Sequence, residues 1–216
     1  MPDCVVVISA TETEAGKTWL TAQLARALRD AGIPVAARKP VQSFTDTDER
    51  TDADVLAEAT GENPLVVCRP HRRFPVAMAP PMAADFLGQS SFKIAQLINE
   101  LDLPETGVAL VEGVGGPRSP LAFDGDTVDL ARGLDADFVV LVAGADLGAI
   151  NAVLLSAGAF RPRAVVVFLN RFDAGDELHV ENLRWLRGNT SLEIVTAVDD
   201  LVLHVLEMTG MDAEER

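Results

Sequence analysis

The run Ser9-Ala10-Thr11-Glu12-Thr13-Glu14-Ala15-Gly16-Lys17-Thr18 follows the apolar stretch Val5-Val6-Val7-Ile8 and precedes Leu20, Leu24 and Leu28, spaced by four. Strand, loop ending Gly-Lys-Thr, helix is the context a phosphate-binding loop requires. The physics is local. Backbone N–H groups of the loop and the open N-terminus of the helix converge on an anion. Gly16 admits close backbone approach. Lys17 brings a mobile positive charge to the terminal phosphates, and the Thr18 hydroxyl is a hard oxygen ligand for Mg²⁺. A nucleoside triphosphate site is the first expectation, and the remaining motifs are placed relative to it. The loop departs from the common pattern, which has glycine where this chain has Thr11, and no lysine precedes Lys17 in it.

The chain's 216 residues suffice for one α/β domain with a substantial core, and a hydrophobic content of 48% excludes a disordered chain. A net charge of −15 disfavours nucleic acid and anionic membranes as partners. An anionic nucleotide must then be held by a few local cations, which singles out Lys17 and Lys39. No apolar run is long enough to span a bilayer. Neither a basic leader nor a cleavage signature precedes the first strand, which predicts a cytoplasmic protein. Cys4 and Cys68 are the only cysteines and lack metal-ligand spacing; Cys4 reads as a small buried apolar residue. Arg69, His71, Arg72 and Arg73 form a basic cluster that reads as a solvated loop, with an anion site as the other reading.

Apolar runs predict strands at Val5–Ser9, Val35–Arg38, Val108–Val111, Phe138–Ala143, Ala164–Leu169 and, weakly, Leu192–Val195. They are continuous rather than alternating, as strands buried on both faces are. Helical patterns cover Thr18–Ala31, Ala53–Thr60, Phe92–Leu101, Val128–Leu134, Ile150–Ala157, Val180–Arg187 and Leu201–Met208. The alternation predicts a single domain over 1–216 with a mostly parallel central sheet and helices on both faces, of the P-loop NTPase kind. Ligands of such sheets sit beyond the carboxyl ends of the strands.

The residues after the strands therefore carry the chemistry. Lys39 leaves the second strand in Lys39-Pro40-Val41-Gln42-Ser43, where it can neutralise a transferring phosphoryl group or an anionic substrate. Glu112 ends the third strand in Glu112-Gly113-Val114-Gly115-Gly116, the place for a Mg²⁺ ligand. Asp52 and Asp54 open a helix; either serves its N-terminus, and either can complete an oxygen shell. Gly144-Ala145-Asp146-Leu147-Gly148-Ala149-Ile150-Asn151 follows the fourth strand and reads as a backbone site for a carboxylate or as a helix capped by Asp146. Asn170 ends the fifth, as a base-reading amide or as a turn residue.

Together the segments Thr11–Thr18, Lys39–Ser43, Val111–Gly116 and Leu147–Asn151 resemble the dethiobiotin synthetase family, in the family's order and with similar intervals. The resemblance covers residues 4 to 170 and is weak beyond. It implies a cytoplasmic, Mg²⁺- and ATP-dependent ligase of biotin synthesis. Its substrates would be diaminopelargonic acid, carbon dioxide and ATP. A carbamate formed on one amine is phosphorylated, and the second amine closes the ureido ring. The family is homodimeric, with substrate near the subunit interface. The implied roles follow by position. Thr13, Glu14, Ala15, Gly16, Lys17 and Thr18 hold the phosphates, with Glu14 near metal or substrate. Thr18, Asp52 and Glu112 organise Mg²⁺, Asp52 fitting the family pattern better than Asp54. Lys39 stabilises carbamate and transferring phosphoryl group, and Thr13 and Ser43 hydrogen-bond reacting oxygens. Asn170 contacts adenine. Pro80, in Ala79-Pro80-Pro81, and Gly115 shape the substrate pocket. Leu147, Gly148, Ala149, Ile150 and Asn151 of the other subunit receive the substrate carboxylate.

Ala10 stands where family members have a glycine; a positive φ there would cost about 1 kcal/mol. Residues Glu193–Val198 lack the glycine and proline of the family's last base-contacting loop, and Gly210–Arg216 reads as a frayed acidic tail. Two other readings compete: a ligase of the same fold acting on a corrin-type carboxylate, and a diverged regulatory nucleotide-binding domain. The joint presence of Lys17, Lys39, Asp52 and Glu112 speaks against the second. A partition-type ATPase would need an early loop lysine.

Overall fold

The apolar runs form a sheet buried on both faces. The computed structural model describes residues 2–45 and 47–210. Its first half runs β1 (Cys4–Ala10), α1 (Lys17–Asp30), β2 (Val35–Arg38), β3 (Gln42–Ser43), α2 (Asp52–Thr60), α3 (Pro64–Val67), a 3₁₀ turn at Pro70–Arg72, β4 (Arg73–Phe74), α4 (Pro80–Phe86) and α5 (Ile94–Glu100). Then follow β5 (Val108–Glu112), β6 (Pro120–Ala122), β7 (Gly125–Asp126), α6 (Thr127–Gly133), β8 (Phe138–Gly144), α7 (Ala149–Ala159), β9 (Val165–Asn170), α8 (Glu177–Asn189), β10 (Glu193–Val195) and α9 (Val198–Thr209).

Six strands make one sheet in the order β10-β9-β8-β1-β5-β2, every neighbouring pair parallel. Alternate side chains of β1 go to opposite faces, as the period of two requires. Val5 and Val7 join a core with Val111, Leu141 and Leu169. Val6, Ile8 and Ala10 join a second core, into which α1 packs Leu20, Leu24 and Leu28. The register brings the carboxyl ends to one edge: Ile8 pairs with Glu112, Ala10 with Val142, and Gly144 with Asn170. β1 lies between β8 and β5, so its exit opens on the crevice where a ligand of an open parallel sheet sits.

The six expected strands are all present, with ends shifted by one residue at most. The expected helices are present with shifted ends; α8 and α9 each begin three residues earlier. The four-residue α3 and the small pairs β3–β4 and β6–β7 had no sequence signal, because two to four residues hold too little periodicity; α4 was not expected either. It opens on Pro80-Pro81, which reads equally as a loop. Of the expected tail, Gly210 is the left-handed cap of α9, and 211–216 lie outside the described residues. Among the described residues no helix is long and apolar enough to cross a membrane. Both cysteines are buried, and burial pushes each thiol up to about 12, as befits core residues.

The basic cluster corrects its expectation. Arg72 is not in a solvated loop: it is 7% exposed, donates from Nε and Nη2 to the two oxygens of Glu100 at 2.8 and 2.6 Å, and lies 4.5 Å over the Phe92 ring. Arg73 is held by Thr51 and Asp54. These cations are spent on joining β4 and its preceding turn to α5 and α2. Arg72→Ala is therefore expected to lower unfolding free energy by about 1.5–3 kcal/mol in urea titration, where a solvated arginine would leave it within about 0.5 kcal/mol.

Candidate active site

The loop between β1 and α1 is built by its backbone. Gly16 caps α1 in the left-handed region at φ 102°. A Cβ there would also lie 2.1 Å from Asn170 Nδ2, so glycine is required twice over. Glu14 is left-handed as well, at φ 65°. Ala10 is not: it is the last residue of β1 and fully buried, so the positive φ considered for it does not occur. Asn170, arriving from β9, donates from Nδ2 to the Ala15 carbonyl at 2.9 Å and accepts from the Arg171 N–H at 3.0 Å, tying the loop to the sheet edge. Lys17 is 8% exposed, and its Nζ donates to the Glu12 carbonyl.

Three elements deliver charge to one point, and a fourth adds a hydroxyl. Lys39 Nζ, from the end of β2, donates to Asp52 Oδ2 and Glu112 Oε1, both at 2.7 Å, and to the Gly113 carbonyl at 3.1 Å. Thr18 Oγ1 lies 2.9 Å from Asp52 Oδ1 and 2.8 Å from Glu112 Oε1. One hydroxyl proton cannot serve both carboxylates, so three hard oxygens converge with fewer protons than contacts. That donor set suits Mg²⁺, which takes one or two carboxylates together with substrate phosphates. No group of three or more His, Cys, Asp or Glu with metal-ligand placement occurs among the described residues; the candidate here is two carboxylates and a hydroxyl. Asp54, the other acid considered, faces away: its Oδ2 accepts from the Thr51 N–H and hydroxyl.

A cavity of about 690 Å³ opens beside this cluster, lined among others by Thr13, Lys17, Thr18, Lys39, Ser43 and Gly115. The Ser43 hydroxyl is buried with no hydrogen-bond partner among the described residues, an uncommitted donor in a residue that lines the cavity. Gly115 sits at φ 56°, where a Cβ would strike Ser119. From the next stretch, Ala77, Met78 and Ala79 line the cavity, while Pro80 is buried as the first residue of α4 and does not. None of Leu147 to Asn151 lines it either; Leu147 is 89% exposed. Asp146 does not cap α7 by its side chain. Instead Gly148 begins the helix at φ 95°.

The sequence of this site has relatives. A family model described as an AAA domain matches residues 5–203. The ATP-dependent dethiobiotin synthetase of Haloferax mediterranei is 35% identical over 193 residues, covering 88% of this chain and 81% of that one. The chain belongs to the dethiobiotin synthetase family. The enzyme of the same name from Phenylobacterium zucineum is 38% identical over 169 residues, 74% of this chain and 71% of the relative. Among solved structures, a putative plasmid partition protein of Borrelia burgdorferi bound to AMPPNP aligns with TM-score 0.55, covering 96% and 98% of the two chains. At 12% identity that likeness shows the P-loop fold alone.

Several positioning residues of this family member had no sequence signal. Thr21, fully buried one turn into α1, lies with Oγ1 2.7 Å from Glu112 Oε2 and braces the carboxylate from behind. Only its place one turn after Thr18 hinted at this. His179 accepts from the Asp173 N–H at Nδ1, so its proton sits on Nε2, which donates to Asp146. Asn182 donates to the Ala145 and Asp146 carbonyls. Together these two fix the turn before α7.

The two lysines differ electrostatically. Burial, then the Lys39 charge, pulls Lys17 down to about 8. Burial also pulls Lys39 down, but Asp52 and Glu112 outweigh it and hold it above the usual lysine range. Lys39 in turn holds Asp52 below the usual carboxylate range. Raising the pH through about 8 thus discharges Lys17 first. Triphosphate affinity, measured by calorimetry between pH 7.5 and 9.5, is expected to fall above pH 8 by up to about tenfold per unit. In Lys17→Met, binding should be weak and flat across that range.

Proposed function

We propose that this chain is a dethiobiotin synthetase, closing the ureido ring of dethiobiotin from 7,8-diaminopelargonic acid, carbon dioxide and ATP. The observation that carries this reading is Lys39, held between Asp52 and Glu112 at the mouth of the phosphate-loop cavity. Similarity to named synthetases over 88% and 74% of the chain supports it. A domain that only bound nucleotide would need Lys17 but not a second buried cation opposite it.

Phosphorylating a carbamate brings one anion onto a polyanion, so the barrier is largely electrostatic. Lys17 and the loop N–H groups hold the phosphates. Thr18, Asp52 and Glu112 would hold Mg²⁺, which supplies charge neutralisation and fixes the phosphate geometry when bound. Lys39 meets the carbamate and the phosphoryl group passing to it. All three of its N–H bonds lie within the cluster, so it must exchange one to do so. The free Ser43 hydroxyl and Thr13 orient reacting oxygens. The carbamate oxygen takes the γ-phosphoryl group, releasing ADP. The second amine then attacks the carbonyl carbon and phosphate leaves. No protein nucleophile is needed, since positioning and field supply the rate.

The segment Leu147–Asn151 does not line the cavity of its own chain, yet it presents a helix N-terminus suited to a carboxylate. We place it in a homodimer, where it meets the substrate held by the neighbouring copy. A cytoplasmic location is part of the same proposal.

Lys39→Ala is expected to cut diamine-dependent phosphate release by about 10²–10³ while nucleotide affinity changes by less than about tenfold. A melting curve with Mg-nucleotide checks that the variant folds. Equal losses in binding and turnover would reduce Lys39 to an ion-pair partner and remove the observation on which the ligase reading rests.

A further inference from the structure

The triphosphate reading fixes a direction along the site. Thr18, Asp52, Glu112 and Lys39 mark the end where the terminal phosphates lie, so the nucleoside must leave on the opposite side of Gly16. A second cavity of about 480 Å³ lies there, lined by Gly16, Trp19, Asn170, Arg171, Phe172 and Thr196. Gly16 and Trp19 line both cavities.

Arg171 and Thr196 bring polar side chains to this side, but the amide at the end of β9 is committed to the fold. The Asn170 amide is engaged at both ends, by the Ala15 carbonyl and the Arg171 N–H. What the cavity offers is an aromatic face. Trp19 stands in the first turn of α1, directly after Gly-Lys-Thr, yet is 49% exposed. Its ring lies 6.4 Å from that of Phe168, tilted by 45°, and Phe168 is only 2% exposed. The indole is thus backed by the core on one side and open on the other. An indole contributes large stacking area at little entropic cost, and every base has a face to stack on, so such contacts tolerate base changes.

We propose that Trp19 is the nucleobase platform, and that stacking on its indole rather than pairing with the Asn170 amide holds the base. The proposal rests on the triphosphate reading of the loop, but not on the identity of the acceptor substrate.

The chain has two tryptophans, and Trp185 sits on α8 outside both cavities. In Trp185→Phe protein the emission therefore reports Trp19 alone. Mg-ATP, Mg-GTP and Mg-CTP are expected to quench it with dissociation constants within about tenfold of one another. Inorganic tripolyphosphate, followed by calorimetry, should bind without comparable quenching. Trp19→Val should weaken all three nucleotides roughly five- to fiftyfold and leave tripolyphosphate unchanged, which also shows that the variant is folded; Trp19→Phe should recover most of the loss. Nucleotide binding without quenching, an unchanged affinity in Trp19→Val, or a preference above about a hundredfold for one base would overturn the proposal alone. Failure of both tripolyphosphate and nucleotides to bind would overturn the triphosphate reading beneath it.

Discussion

The ammonium of Lys39, 3% exposed and shared by Asp52 and the fully buried Glu112, is the interaction on which the rest of this site depends. Its partners come from separate elements: Lys39 follows β2, Asp52 opens α2, Glu112 ends β5 and Thr18 lies in α1. Removing one member of such a group leaves an uncompensated buried charge, at a cost of about 3–5 kcal/mol. Replacing the whole group by apolar side chains is often neutral or stabilising. Stability therefore does not explain the cluster, whereas charge held ready beside a phosphate loop does.

The fold makes that convergence inexpensive. A parallel sheet ends all its strands on one edge, and the register sets Glu112 level with Ile8, two residues short of the loop. α1 then leaves from the centre of the sheet and packs Leu20, Leu24 and Leu28 beneath it. Lys17, Thr18 and Glu112 thus start from rigid elements. Of the residues at positive φ, Glu14, Gly16 and Gly115 line the cavity.

Much of this was legible because burial on both faces writes continuous apolar runs, and because chemistry in such a fold lies just after those runs. Lys39, Glu112 and the Gly-Lys-Thr loop stood out for that reason. The residues alone left Asp52 and Asp54 open, since two acids on one helix turn differ only in where the helix is rotated; it was the resemblance that favoured Asp52. Thr21 was invisible because a threonine inside a helix has many ordinary uses. Arg72 was misread because charge alone does not reveal that Glu100 and Phe92 wait 28 and 20 residues away to cover it. Asn170 was placed at the right strand end, but its grip on the Ala15 carbonyl depends on a contact 155 residues apart in sequence.

On this reading the charge cluster serves the carboxylation of a diamine. The most direct test is to supply ¹³C-bicarbonate with Mg-ATP and 7,8-diaminopelargonic acid and weigh the product. That role requires dethiobiotin carrying one ¹³C, formed with one ADP per molecule. ADP release indifferent to the diamine, or consumption of ATP without labelled product, would contradict it.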